Sequence, residues 1–467
     1  MFQTIIGTIS SFMYSKLLVI LLIGAGVYFT VRTRFPQVRL FKNACGSVME
    51  KPEDKGAISS FQALMVSTAS RVGTGNIVGV SSAICIGGFG SVFWMWVIAI
   101  IGSASALIES TLAQIYKKKG KDGECYGGPA YYIEAALHCR PLAIVFCISM
   151  IATYAFGFNM LASYNLQSTF SGFSFYDTKW TPWIIGGILA LITGWCLLGG
   201  GSRIVKVTST LVPAMGVAYI LIAVIVMIIN HAYLPVVFSK IISEAFDFKA
   251  IFGAFAGSAM MQGIRRGLYS NEAGIGSAPN ASASAQVSHP IKQGLVQMLS
   301  VFIDTLLLCT ATAMMCLSSG IAPAQELQGA PWVQAALHES LGNFGPLFIT
   351  VAMVLFAFTT LLGNCFYCDN LLNYIHKGQP SKGFMKGFRI VSALVVFIGA
   401  GMEVSMLWNI SDVLMGVMAL INIPVILILS NTALKALADY EKQKKDGGNP
   451  VFRARDIGLE YETDYWG

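Results

Sequence analysis

Long apolar runs separated by short polar segments dominate the chain, and they predict membrane-spanning helices. Eleven runs can be delimited, at approximately 11–31, 58–86, 91–116, 141–171, 182–199, 205–230, 248–287, 293–318, 341–368, 386–402 and 404–431. The second and seventh runs differ from the others because they are long and interrupted by glycine. A charged segment follows the last run, and its composition predicts a solvated, flexible tail.

The composition agrees with a protein that lies in a membrane. Of the 467 residues, 55% are hydrophobic and only 12% are charged, whereas soluble proteins carry about 25% charged residues. At ~20 apolar residues per span, this content suffices for about ten helices. The sequence therefore predicts an all-α polytopic membrane protein, and a soluble globular protein is excluded because too little polar surface would remain.

The basic residues predict the orientation, because loops rich in Lys and Arg stay in the cytoplasm. Of the 31 Lys and Arg residues, 24 lie in alternate loops and in the tail, while the loops on the other side hold only Lys179, Lys240 and Lys249. The N-terminus is therefore expected outside and the C-terminus in the cytoplasm of a multi-pass cell-membrane protein. The net charge of +7 then belongs to the cytoplasmic face, and no nucleic-acid partner is expected.

The two interrupted runs suggest an internal repeat. Without the first span, ten spans remain, and each set of five begins with an interrupted helix. Because five is odd, the second set is inverted relative to the first, which is the pattern of secondary transporters that bind their substrate at the membrane midplane. The predicted organisation is an N-terminal helix with a basic loop, a first five-helix repeat, an inverted second repeat and a charged tail, at 1–56, 57–230, 248–431 and 432–467.

The first interruption contains Thr74, Gly75 and Asn76, which are poor helix formers. Unwinding there would free backbone carbonyls for a cation, and N–H groups at a half-helix start for a carboxylate. The alternative is a helix-packing seam, since Gly75 and Gly79 form a GxxxG.

The second interruption is predicted within 257–267, where Arg265 and Arg266 lie in apolar surroundings, and Glu272 follows. Buried charges are costly in a membrane, so Arg266 or Glu272 is predicted to belong to a gate or a substrate contact. The alternative is an internal ion pair that ties the half-helix to its neighbours.

Other polar groups inside the spans are candidates for ion binding. Phe356, Thr359 and Thr360 bring a carbonyl and two hydroxyls within one helical turn, which suits Na⁺ if they face unwound carbonyls; otherwise the hydroxyls bond their own helix. Asp304 and Glu109 are each either a coupling group or a satisfied structural acid. Phe156 and Phe158 either line the site or pack in the core or against lipid.

The sequence disfavours two other classes of protein, a channel and an enzyme. A channel would need a hydrophilic stripe or a charged ring, but the spans carry scattered small polar residues. An enzyme is not expected and no catalytic residue is predicted, because HExxH, GxSxG and GxxxxGK[ST] are absent and His338-Glu339 lacks the second histidine.

Three segments of the chain resemble the alanine or glycine:cation symporter family. They are Val72-Gly73-Thr74-Gly75-Asn76-Ile77, Gly87-Gly88-Phe89-Gly90-Ser91-Val92-Phe93-Trp94-Met95-Trp96 and Arg266-Gly267-Leu268-Tyr269-Ser270-Asn271-Glu272-Ala273-Gly274-Ile275-Gly276-Ser277-Ala278-Pro279. The resemblance implies a leucine-transporter-like fold of the amino acid–polyamine–organocation superfamily. It also implies import of a small neutral amino acid, of the alanine or glycine class, by symport with Na⁺ as the co-transported ion.

The resemblance also implies roles for individual residues. The substrate-binding candidates are Thr74, Gly75, Asn76, Phe156, Ser258, Met261 and Gln262, and the Na⁺ candidates are Ala69, Val72, Phe356, Thr359 and Thr360. Asp304, Arg266 and Glu272 are candidates for coupling or gating. Coupling to protons and a preference for glutamine or serine remain alternatives, and the sequence leaves the oligomeric state open.

Overall fold

The computed structural model describes residues 2–54, 56–120, 123–247, 258–459 and 463–466. The start of the predicted seventh span, 248–257, with Lys249 and Gly257, lies outside these residues. Within the described part of the chain, nine helices are long and apolar enough to cross a membrane. They are α1 (Gln3–Arg32), α6 (Gly90–Ile115), α8 (Arg140–Ser168), α9 (Thr181–Leu198), α10 (Gly200–Ile229), α14 (Pro290–Leu317), α16 (Phe344–Ile375), α17 (Lys382–Ala400) and α18 (Val404–Ile428).

These nine helices match nine of the eleven predicted runs, and the two remaining runs are the interrupted ones. The all-α polytopic fold is thereby confirmed. We call the end of the bundle that carries the Lys- and Arg-rich loops the basic face, and the other end the opposite face.

The other elements are shorter. The helices among them are α2 (Pro36–Arg39), α3 (Phe41–Val48), α4 (Ser60–Arg71), α5 (Gly75–Gly87), α7 (Pro129–Leu137), α11 (Leu234–Ala245), α12 (Ala259–Asn271), α13 (Pro279–Ser284), α15 (Ala330–Leu341) and α19 (Ser430–Lys445). Strands β1 (Lys118–Lys119) and β2 (Cys125–Tyr126) pair antiparallel. Turns of 3₁₀ helix cover His231–Tyr233, Gln325–Leu327 and Ala454–Ile457.

The first interruption separates α4 from α5 where the sequence predicts it. Helix α4 begins in a capping box formed by Ser59 and Gln62, and it ends at Arg71. Helical structure resumes at Gly75 with one π-helical turn, Gly75–Gly79, before α5 continues to Gly87.

The predicted break within 257–267 is wrong for 259–267, which is helical, whereas residue 257 lies outside the described residues. The break that the structure describes follows α12, at 272–276. Helix α12 runs unbroken from Ala259 to Asn271, and the chain leaves helical geometry at Glu272, Gly274 and Gly276, with φ of +55°, +84° and +85°. Gly267 lies inside α12 and faces α6. A Cβ at this position would lie 2.7 Å from Ile98 Cγ2. Glycine here permits close helix packing rather than unwinding.

The C-terminal tail is folded onto the bundle, so the prediction of a solvated, flexible tail is wrong. Helix α19 continues into a segment whose Phe452 and Trp466 are only 4% and 8% exposed. They are buried because the tail contains aromatic residues as well as charged ones, and these aromatic side chains pack against apolar partners at the basic face.

Candidate functional site

The two interruptions lie side by side in the centre of the bundle. The Ser70 hydroxyl, in the last turn of α4, donates to Glu272 Oε1 at 3.1 Å. A Cβ added to Gly75 would lie 2.9 Å from the ring of Tyr269. The start of α5 and the end of α12 therefore touch, and only glycine at position 75 permits this distance.

Asp304 on α14 links both broken helices. Its Oδ1 accepts from the Asn76 amide at 2.7 Å, and its Oδ2 accepts from the hydroxyls of Ser270 and Thr305, both at 2.8 Å. The carboxylate is fully buried, so these donors replace the water that it loses. Asp304 thus joins α5 to α12.

Asn76 also closes the first interruption. Its Oδ1 accepts from the Gly73 N–H at 2.8 Å, a group that would bond the carbonyl of Ala69 in a continuous helix. The Asn76 amide is therefore committed to internal contacts. Thr74 has a different partner, because its hydroxyl accepts from the amide of Asn165 at 3.2 Å.

The Na⁺ candidates on α16 face the first interruption through one hydroxyl. Thr360 Oγ1 is buried and has no hydrogen-bond partner among the described residues; it lies so close to Gly73 that a Cβ there would collide with it. Thr359 Oγ1 instead donates to the carbonyls of Leu355 at 3.0 Å and Phe356 at 3.2 Å. One hydroxyl thus faces Gly73 in the first interruption, and the other bonds its own helix.

Glycine also lets α16 approach the first interruption closely. A Cβ at Gly363 would lie 2.6 Å from the backbone nitrogen of Ser70. The next residue, Asn364, accepts from the Ser70 hydroxyl at 2.8 Å and donates to Asn159 on α8 at 2.9 Å. Helices α4, α8 and α16 are therefore joined beside the candidate ion ligands.

Glu109 on α6 stabilises the second interruption. Its carboxylate accepts from the backbone N–H groups of Gly274 and Gly276, both at 3.1 Å, and from the amide of Asn422 at 2.8 Å. Unwound N–H groups need such partners where water is absent. This geometry matches the alternative in which Glu109 is a satisfied structural acid.

Arg265 and Arg266 share one acid. Arg265 lies 2.6 Å from Asp412 on α18, and Arg266 lies 3.3 Å from the same carboxylate. The guanidinium of Arg266 also lies over the ring of Trp408, at 3.9 Å. The internal ion pair that the sequence left as an alternative is therefore present, and it ties α12 to α18.

Glu272 belongs to neither arginine's ion pair. Its two carboxylate oxygens accept from the hydroxyls of Ser70 and Ser277, at 3.1 and 2.7 Å. Its backbone adopts the left-handed conformation at the end of α12. Glu272 therefore bridges the two interruptions directly.

The sequence left Phe156 either lining the site or packed in the core or against lipid, and the structure places it at the surface of the bundle. Its ring is 39% exposed, whereas Phe158 is 3% exposed and packs edge-on against Tyr269 with ring centroids 4.9 Å apart. Two positions along a helix point to nearly opposite faces, so a shift of two residues exchanges the core for the surface.

Ser258, Met261 and Gln262 lie too far toward the opposite face. Ser258 caps α12 and accepts from the N–H of Met261, and Gln262 lies beside Gly87, at the far end of α5. Gly87 is twelve residues from Gly75, or ~18 Å at 1.5 Å per residue. The part of α12 that faces Gly75 is instead Tyr269 and Ser270.

Sequence reasoning missed several residues at this centre: Asp412, Asn159, Asn165 and Tyr269. Asp412 and the two asparagines carried a usable signal, because each is a polar residue within an apolar run, as Asp304 is. Tyr269 carried none, since aromatic residues are common on every face of these helices.

A cavity of about 710 Å³ opens between the second interruption and the basic face. Its lining includes Ile58, Asn280, Ser284, Asp369 and Arg389. Asn280 follows the second interruption and donates to the carbonyls of Gly276 and Ser277. The cavity therefore reaches from the basic loops to the base of the broken helix.

Comparisons with known proteins agree with this geometry. The model of the sodium:alanine symporter family matches residues 1–454. The chain is 43% identical to the amino-acid carrier protein AlsT of Bacillus subtilis, over 100% of this chain and 98% of AlsT. It is 41% identical to the probable sodium/glutamine symporter GlnT of the same organism, over 96% and 93%.

A solved structure supports the fold. MhsT in complex with L-phenylalanine superposes with a TM-score of 0.53, at 13% identity, over 89% of this chain and 93% of MhsT. This likeness identifies the leucine-transporter-like architecture that the resemblance implied, and it carries no information on the substrate.

Proposed function

Since the chain belongs to the sodium:alanine symporter family, and is a sodium-coupled amino-acid transporter of the cell membrane rather than an enzyme, we propose that its cargo is alanine or glycine. The cargo enters by symport with Na⁺ through alternating access, with the N-terminus outside and the C-terminus in the cytoplasm. The observation that carries the proposal is the direct contact between the two interruptions. This contact supports a substrate site at the membrane midplane, between two inverted five-helix repeats at 57–230 and 248–431.

The cargo's carboxylate binds the start of α5, where Thr74 and Gly75 offer backbone N–H groups and the helix dipole favours negative charge. The Asn76 amide contributes by holding the interruption open through Gly73 and Asp304. The rings of Tyr269 and Phe158, which pack against each other beside Gly75, would restrict the space there to a short side chain. This favours alanine and glycine over glutamine.

The co-transported Na⁺ binds between the first interruption and α16. Carbonyls of Ala69, Val72 and Phe356 and the hydroxyls of Thr359 and Thr360 supply oxygen ligands, the type that hard cations prefer. The buried, unpartnered Thr360 Oγ1 supports this site most directly. Thr359 joins it by rotating away from its own helix.

We expect Thr360→Ala to raise the Na⁺ concentration for half-maximal uptake about tenfold, the effect of losing ~1.4 kcal/mol of binding. Uptake of labelled alanine against Na⁺ concentration in proteoliposomes measures it. Thr208→Val is the matched control, since the Thr208 hydroxyl is buried but bonds its own helix. An unchanged Na⁺ dependence of Thr360→Ala would remove this residue from the site.

Gating and coupling involve the charged groups around the interruptions. Asp304 accepts hydrogen bonds from both broken helices, and Glu272 accepts one from the last turn of α4. These contacts change when the half-helices move. Arg266, with Asp412, Trp408 and Tyr269, forms a layer toward the opposite face. In this arrangement that layer closes the outer route, while the cavity leads to the cytoplasm.

The choice of cargo is tested by counterflow in proteoliposomes. We expect labelled alanine to accumulate against unlabelled alanine or glycine, with Na⁺ present, and to be displaced poorly by glutamine and phenylalanine. Faster counterflow of glutamine than of alanine would overturn the proposed cargo. Uptake driven by a proton gradient without Na⁺ would overturn the coupling ion, and a channel would show currents without counterflow.

A further inference from the structure

The C-terminal tail, which the structure describes at 446–459 and 463–466, is attached to the basic face at several points. At its end, Trp466 Nε1 donates to the Gln114 carbonyl at the end of α6, at 2.7 Å. The ammonium of Lys117 lies 4.0 Å from the ring centre of Tyr465 and 5.1 Å from that of Trp466. Burial lowers the pKa of Lys117 to about 8, in keeping with an ammonium enclosed between the tail and the bundle.

Lys292, at the start of α14, joins the tail to two other segments. Its ammonium donates to Glu50 at 2.8 Å, to Ser288 at 2.6 Å and to Asn449 of the tail at 2.7 Å. The side chain of Lys292 is only 7% exposed and that of Glu50 is 16% exposed, so the pair is shielded from solvent. Breaking such a pair costs more than breaking a surface ion pair.

Backbone bonds strengthen the same attachment. The Phe452 N–H donates to the Ser288 carbonyl at 2.9 Å, and the Ser288 hydroxyl donates to the Pro450 carbonyl at 2.7 Å. The Phe452 ring packs against His289 on one side and Trp466 on the other. The tail therefore fixes the turn at 285–289.

That turn is joined to the segment that leads into α4. The Gln286 N–H donates to the Ile58 carbonyl at 3.0 Å, and the Gln286 side chain exchanges hydrogen bonds with Asp54. Segment 54–59 precedes the first broken helix, and turn 285–289 follows α13, the short helix after the second interruption. The basic-face ends of both broken helices are therefore held together beneath the tail.

We propose that the tail is a strap that restrains the basic-face ends of the two broken helices and thereby limits how far the basic-face route opens. The 710 Å³ cavity borders the same ends through Ile58 and Ser284, so separating these ends would widen it. Loss of the contacts that hold the tail releases the strap and speeds opening of the basic-face route. The proposal is independent of the cargo and of the coupling ion.

The test measures accessibility at the cavity wall. Ser284→Cys is introduced with Cys45, Cys125 and Cys139, the cysteines that are exposed or partly exposed, changed to serine. Labelling by a maleimide in nanodiscs is compared between the full chain and a chain that ends at Lys445. We expect the shortened chain to react roughly fivefold faster or more, a typical size for a conformational coupling.

Point variants and an added peptide complete the test. Trp466→Ala, which keeps the tail but removes its terminal anchor, is expected to speed labelling in the same direction, whereas Arg455→Ala is the control because Arg455 is 59% exposed. A synthetic peptide of residues 446–467 is expected to slow labelling of the shortened chain. Equal labelling rates with and without the tail overturn the proposal; if the shortened chain does not fold, an unchanged rate in Trp466→Ala overturns it.

Discussion

Gly73→Ala is expected to abolish most Na⁺-dependent uptake while the protein still folds. A Cβ at this position collides with Thr360 Oγ1, so either α16 shifts or the hydroxyl turns away from the first interruption. Overpacking of this kind costs 1–3 kcal/mol, which corresponds to a loss of roughly 5- to 150-fold in Na⁺ affinity. Uptake of labelled alanine over a range of Na⁺ concentrations measures the loss.

Gly216→Ala is the matched control for this experiment. Gly216 lies inside α10, and a Cβ there has nothing within 4 Å. Its uptake and thermal unfolding should equal those of the unchanged protein. Normal Na⁺ dependence in Gly73→Ala would contradict the placement of the ion between the first interruption and α16.

Asp412→Asn is expected to cause the largest loss of stability. The two guanidiniums that share this carboxylate, Arg265 and Arg266, would remain buried without a counter-charge, since their side chains are only 12% and 6% exposed. Removing one partner of a buried ion pair costs about 3–5 kcal/mol. Thermal unfolding of the purified protein in detergent should show a clear fall in the midpoint.

A double-mutant cycle separates this effect from a loss of packing. If the unpaired charge is responsible, adding Arg266→Gln to Asp412→Asn should cost less than the two single losses added together. Glu403→Gln serves as the control, because Glu403 is exposed near the start of the same helix. An unfolding midpoint in Asp412→Asn equal to that of the control would show that the ion pair does not stabilise the bundle.

The first interruption was predicted correctly because a motif imposed the backbone path. The chain leaves the helix between Arg71 and Gly75, where the sequence indicates, because the glycine and polar residues of this segment favour unwinding. Thr360 faces that segment, as the spacing with Phe356 suggested. The break predicted within α12 was misplaced because glycine has two uses: Gly263 and Gly267 allow close packing, whereas Gly274 and Gly276 supply positive φ.

The charges of residues in the sequence do not identify which residues they bond in the fold. Arg266 and Glu272 are six residues apart, and the sequence predicted that either one belongs to a gate or a substrate contact. In the fold, Glu272 bonds serines of both interruptions, while Arg266 pairs with Asp412, which lies 146 residues further along the chain. Helix packing decides such pairs, because side chains distant in sequence meet only after the helices assemble.

The sequence by itself determined the membrane fold, nine uninterrupted spans, the first interruption and the family, because hydropathy, glycine and short motifs act locally. Only the tertiary structure decided which glycines unwind the second broken helix, that Phe158 rather than Phe156 packs against Tyr269, and that aromatic residues of the charged tail are buried. These outcomes depend on contacts between distant segments. A local pattern sets which conformations are possible, and the neighbours that pack against it select one.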